Sequence, residues 1–159
     1  MRICIIVLAV FLQTSHINVQ QQGVVERGDN VMGFSHEQTT HHFRLFEDGG
    51  EIAVTANDPS DKVSVDQIRM HLGHIATMFA AGNFNAPMLI HDTTPPGVTT
   101  MTRLKAEIRY EYSETERGAS IRLLTKNAQT LDAIHAFLLF QIIEHRTADS
   151  PAIFTGKPQ

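Results

Sequence analysis

A chain of 159 residues, 42% of them hydrophobic, is long enough to bury one core and too short for two comfortable ones. Its charge is mildly acidic, with 17 Asp and Glu against 13 Lys and Arg, and it carries no basic stripe with interleaved aromatics, which argues against nucleic acid as a partner. The single cysteine, Cys4, leaves no disulfide framework and no thiolate-rich metal centre.

The first 22 residues belong to a different regime from the rest. Arg2 precedes the apolar run Ile3 to Leu12, and polar Gln13-Thr14-Ser15 and Gln20-Gln21-Gln22 follow. That order is the charged and hydrophobic part of a secretory signal peptide, expected over residues 1–22, with cleavage anywhere from Ser15 to Gln22 because no small-x-small site is written. The apolar run is roughly half of a membrane span, so no lasting span is expected, although an uncleaved N-terminal helix is the alternative. The implied location is periplasmic or secreted. Cys4 would leave with the leader, as would Arg2, and the mature chain would then be acidic and free of thiols.

Residues 23–146 read as one α+β domain. Thr39 to Phe46 and Glu51 to Asn57 have strand character around the turn signal Asp48-Gly49-Gly50, and Asn57-Asp58-Pro59-Ser60-Asp61 then breaks the chain. A helix follows from about Ser64 to Ala81, on which Val65, Ile68, Leu72, Ile75 and Phe79 form one apolar stripe. Lys105 to Thr115 and Ala119 to Thr125 make a second strand pair around Arg117-Gly118, and a second helix runs from about Ala128 to His145. The expectation is a ββαββα domain, an antiparallel sheet with two main helices packed on one face. A pseudo-twofold repeat is one option, since Asp66, Ile68 and Leu72 match Asp132, Ile134 and Leu138 in position; the other is that any two ββα units look alike.

The segment Gly82 to Gly97 between the two units holds Pro87, Pro95 and Pro96 and is expected to be irregular, with Val98, Met101 and Leu104 suggesting short helical turns after it. The last helix is apolar round most of its circumference through Phe137, Leu139, Phe140 and Ile143. It is either buried on both sides or presents a homodimer surface. Residues 147–159 are expected to form a loose tail.

Chemistry is concentrated in nine histidines and six methionines. On the first helix His71, His74 and Met78 share one flank of the apolar stripe, with Met70 farther round, and two imidazoles with a thioether suit copper or zinc, copper(I) first. No His-Glu-x-x-His is present, so hydrolytic zinc chemistry is not indicated. His41 and His42 are neighbours in a strand, so only one of them can meet the helix. His91, beside Asp92 and three residues after Met88, can complete a metal site with His71 and His74, or act with Asp92 as an acid/base pair in a small enzyme or ligand-binding domain. In each case the competing reading is structural, with boundary histidines bonded to neighbouring backbone or carboxylates. His145 is accounted for by the helix dipole, which favours a cation at a C-terminus.

Thr40-His41-His42-Phe43, Ile68-Arg69-Met70-His71-Leu72 with His74-Ile75-Ala76, Pro87-Met88 with Ile90-His91-Asp92, Pro95-Pro96-Gly97-Val98 and Gln141-Ile142 with Glu144-His145 resemble small exported bacterial proteins without established function, over about residues 30–150. Some of these carry the label aspartate carbamoyltransferase. This chain has no Ser-Thr-Arg-Thr phosphate loop and is far shorter than that enzyme, so the resemblance implies the compartment and the single domain but no catalytic residue.

Overall fold

The structure is a computed structural model and describes residues 23–24 and 26–155; the expected leader over residues 1–22 lies outside them. A helical stretch over residues 26–32 (α1) leads into the hairpin β1 (Thr39–Phe46) and β2 (Gly49–Ala56). Then come α2 (Lys62–Ala80), α3 (Asn85–His91), α4 (Val98–Arg103), a 3₁₀ turn at Lys105–Glu107, the hairpin β3 (Arg109–Thr115) and β4 (Gly118–Leu124), α5 (Ala128–Glu144) and the short β5 (Ile153–Phe154). The strands form one sheet in the order β3-β4-β2-β1-β5. This is an α+β fold with a mostly antiparallel sheet and helices packed on it, as the two strand-strand-helix units lead one to expect.

Both long helices start where the sequence supplies a cap. The Asp61 carboxylate accepts the Ser64 N–H at 3.0 Å, and the Asn127 side chain accepts the Thr130 N–H at 3.1 Å, each cap contributing about 1 kcal/mol. The apolar stripe of α2 is buried throughout at Val65, Ile68, Leu72, Ile75 and Phe79, while on α5 Ile134, Phe137 and Leu138 are sealed in the core. These residues close over the inward parity of the sheet: Phe43 and Leu45, Ile52 and Val54, and Ile121 and Leu123.

The hairpins are antiparallel partners through their second strands, β2 beside β4, so the two hairpins stand symmetrically about that pair, with β5 added outside β1. Each helix crosses to the other unit. α2 lies mainly over β3 and β4, and α5 over β1 and β2. On the helix-free face Arg44, Glu51, Arg122 and Glu111 stand in register across four strands, alternating in charge, with Arg44 Nη1 2.7 Å from Glu51 Oε2. A row of that kind favours solvent over a second apolar layer.

Three expectations change. Gly49 and Gly50 are paired residues of β2, and the turn falls on Glu47 and Asp48. Gly49 sits at φ 147°, and a Cβ there would overlap the Leu123 carbonyl of β4, so the glycine permits close approach of two central strands. Within the segment from Gly82 to Gly97, Asn85–His91 forms the helix α3, and the segment contributes Phe84, Ala86, Ile90 and the fully buried Pro95 to the interior. The tail is docked. β5 pairs in parallel with β1, and Asp149 accepts the Phe43 N–H at 2.9 Å, which satisfies backbone groups on an otherwise open sheet edge.

On α5, Leu139 packs against the core and Phe140 lies edge-on to His91, which uses internally much of the apolar girth expected to serve a dimer; Ile143 stays 69% exposed. Among the described residues no helix is long and apolar enough to cross a membrane.

Candidate functional site

Strand alternation decides which of the two adjacent histidines turns inward. His41 shares the inward parity of Thr39, Phe43 and Leu45, whereas His42 takes the other face, where its Nδ1 lies 2.9 Å from Asp149 Oδ1. Against His41 comes His145, the C-cap of α5. Their rings stack with centroids 5.5 Å apart and planes 15° apart. His91, the last residue of α3, meets His145 edge-on at 5.1 Å. His71, on the flank of α2, lies edge-on to Phe34 at 5.5 Å, and Phe34 in turn stacks on His41 at 6.1 Å. Four imidazoles from four elements therefore surround one region.

Two cavities meet there. The inner one, about 70 Å³, is lined by His41, His71, His145, Gln141 and Met32 among apolar residues that include Phe43, Ile75, Phe79 and Phe137. The outer one, about 200 Å³, is more polar, with His36, Thr39, Thr40 and Thr147. Met32, His41 and His145 line both and form the wall between them.

Burial keeps these rings neutral. Desolvation, reinforced by His71 and the other nearby histidines, lowers the pKa of His41 to about 4. Desolvation with His74 lowers His71 to about 4, and desolvation with His41 and His91 lowers His145 to about 3. His145 thus carries no charge near neutrality, and the helix-dipole account of it does not apply. The ring nitrogens of His41, His71 and His145 make no hydrogen bond to another described residue. The three rings are half-buried on the walls of these cavities.

His91 is partnered. Its Nε2 lies 3.0 Å from Gln141 Oε1 and its Nδ1 3.8 Å from Glu144 Oε2, and its pKa is lowered by desolvation against the raising effect of Gln141 and Glu144. Asp92 is exposed, in a left-handed conformation at φ 52°. The carboxylate placed to orient His91 is therefore Glu144, brought from α5, and not the chain neighbour Asp92. The amide nitrogen of Gln141, on the far side of that bond, is buried without a partner.

The expected strip on α2 divides. His71 reaches the inner cavity, His74 is exposed, and Met78 is half-buried. Met88 is half-buried and packs on the core, Met70 is 73% exposed, and His42 is held by Asp149. Of the residues expected to bind metal, His41, His71 and His91 come to the cavity region; His74 and His42 do not. Among the described residues no three histidine or acidic side chains are arranged to hold a metal ion.

His145, Gln141 and Met32 are the site residues that sequence reasoning missed. A signal was present for two of them. Leu138, Gln141, Ile142 and His145 continue the buried stripe of α5 at i, i+3, i+4 and i+7, and polar residues on a buried stripe mark either an internal network or a site. Met32 carries no such mark. Comparison with protein-family models, curated proteins and solved structures finds no match to this chain.

Proposed function

We propose that this chain is a small exported binding protein whose ligand occupies the histidine-lined cavities. The observation that carries the reading is the set of neutral imidazoles of His41, His71 and His145, gathered on cavity walls without hydrogen-bond partners among the described residues. Beside them the amide nitrogen of Gln141 is buried without a partner, at a cost of about 1–3 kcal/mol that a ligand accepting from it would remove. A small organic molecule fits the mainly apolar lining of the inner cavity best.

A transition-metal ion, copper or zinc, is the second reading. It is favoured by imidazole nitrogens free of protons at neutral pH and by the Met32 thioether on the shared wall. It requires rotation of at least one ring, because no three ligands converge as they stand.

Both readings are tested by following the imidazole nitrogens of the ¹⁵N-labelled protein by NMR while copper(I), zinc(II) and a library of small metabolites are added in turn. A ligand of the proposed site shifts His41, His71 and His145 together, and the shift is lost in His145→Ala and kept in His74→Ala. If nothing in either set moves these three resonances, the binding function is wrong.

A further inference from the structure

Three features of the cavities restrict what can enter, given that they are a ligand seat as proposed above. The first is size. The inner cavity, about 70 Å³, is less than half of the ~150 Å³ of an apolar cavity that admits benzene. A short alkyl end fits within that volume. The second is hydrogen-bond polarity. Gln141 Oε1 faces His91 Nε2, so the Gln141 amide N–H groups are left as buried donors with no acceptor, while each neutral imidazole of the wall offers one N–H donor and one nitrogen acceptor. The Gln141 amide therefore calls for an oxygen acceptor. The third is charge. Among the described residues no Lys or Arg lines either cavity, so an ionised ligand would find no fixed countercharge from them.

We infer that the ligand is a short-chain carbonyl compound, uncharged when bound, with its alkyl end among Phe43, Ile75 and Phe137 and its oxygen on the amide of Gln141 and the imidazole of His145. An aliphatic primary amide meets this directly. The corresponding carboxylic acid carries the same oxygen but must bring a proton with it, either on itself or on a histidine of the wall. The acid therefore binds more tightly as pH falls, and the amide does not, until the histidines themselves titrate.

The probes are the straight-chain amides from propanamide to hexanamide, and butanoate, titrated into the full folded chain with the imidazole and side-chain amide resonances as readout. Butanamide is expected to shift His145 and Gln141, with affinity rising about fourfold for each added methylene until the cavity is full and falling beyond that length. Ala86 lines the same cavity on α3, and Ala86→Val and Ala86→Leu fill the space while leaving every polar group in place. Thermal unfolding shows whether each variant is folded; in a folded variant the gain per methylene should vanish. Butanoate should gain affinity close to tenfold per unit of decreasing pH over the range where it binds with one proton.

Absence of any shift with the amides would overturn the carbonyl assignment while leaving the broader binding reading to the library titration. Affinity independent of chain length, or unchanged in a folded Ala86 variant, would overturn the placement of the alkyl end. Butanoate binding equally well across that pH range would overturn the requirement for an uncharged ligand.

Discussion

The rings of His41 and His145 lie face to face, 5.5 Å apart between centroids, although the two residues come from opposite ends of the described chain. Protonating either one sets a cation against its neighbour inside a desolvated wall. The folded-state values, about 4 for His41 and His71 and about 3 for His145, lie below the unfolded value of 6.5. Between those limits the unfolded chain binds more protons than the folded one, so stability falls as pH falls. The groups facing these rings are His36, His42, His74, His91 and Asp29, and only Asp29 opposes the trend. Denaturant unfolding should give a plateau of stability above about pH 6.5 and a loss of several kcal/mol on the way to about pH 4.5. A flat profile over that range would count against the buried cluster, and His145→Gln should make the profile shallower.

Gln141 and His91 form a buried pair at 3.0 Å, linking α5 to α3. Gln141→Leu keeps the volume roughly constant and removes the partner of a ring that is only 5% exposed. The expected cost is about 1–3 kcal/mol, read from the shift in the denaturation midpoint. A neutral result would mean that His91 finds another partner by turning its ring.

Gly97 starts α4 at φ 84°, and a Cβ there would overlap the Ala133 carbonyl of α5. Both the backbone conformation and the close helix contact depend on the missing side chain. Gly97→Ala should cost about 3 kcal/mol or more. Calorimetry that showed Gly97→Ala unfolding at the wild-type temperature would contradict this packing.

Asp149 accepts the Phe43 N–H and faces His42, and it holds the chain where it turns toward β5. Asp149→Ala is expected to cost about 1–2 kcal/mol and to raise hydrogen exchange at Phe43 and through residues 147–154, with little change in β3 and β4. Exchange that rose equally across the whole sheet would show that the segment is coupled to global unfolding.

The fold was largely legible because periodicity carries it. The stripe from Val65 to Phe79 and the alternation in β3 identify their elements from local pattern alone. What escaped depends on partners distant in sequence. Ile153 and Phe154 form a strand only because β1 offers an open edge, and α3 is a helix in a proline-bearing segment because Ala86 and Ile90 find a core to enter. The same distinction applies to the site. His41 and His71 were marked by residue type and spacing, whereas His145 joins them through a fold-level contact that no window of sequence contains, and the helical strip that suggested His74 was a property of one surface rather than of a cavity.

The crossing of α2 over the second hairpin and of α5 over the first has a consequence for assembly. Neither strand-strand-helix unit covers its own sheet, so each completes itself by exchange with the other, and the connection through residues 81–108 only has to let that exchange close within one chain. Shortening this connection, at the loss of the contacts of α4 with α5, would leave the exchange between the two units available between two chains and forbid it within one, the condition for a domain-swapped dimer. Deletion of α4 with its flanking loops should accordingly move the protein from monomer toward dimer in light scattering while the far-ultraviolet circular dichroism is largely retained. A variant that simply unfolds would show instead that α4 is needed to hold α5 in place.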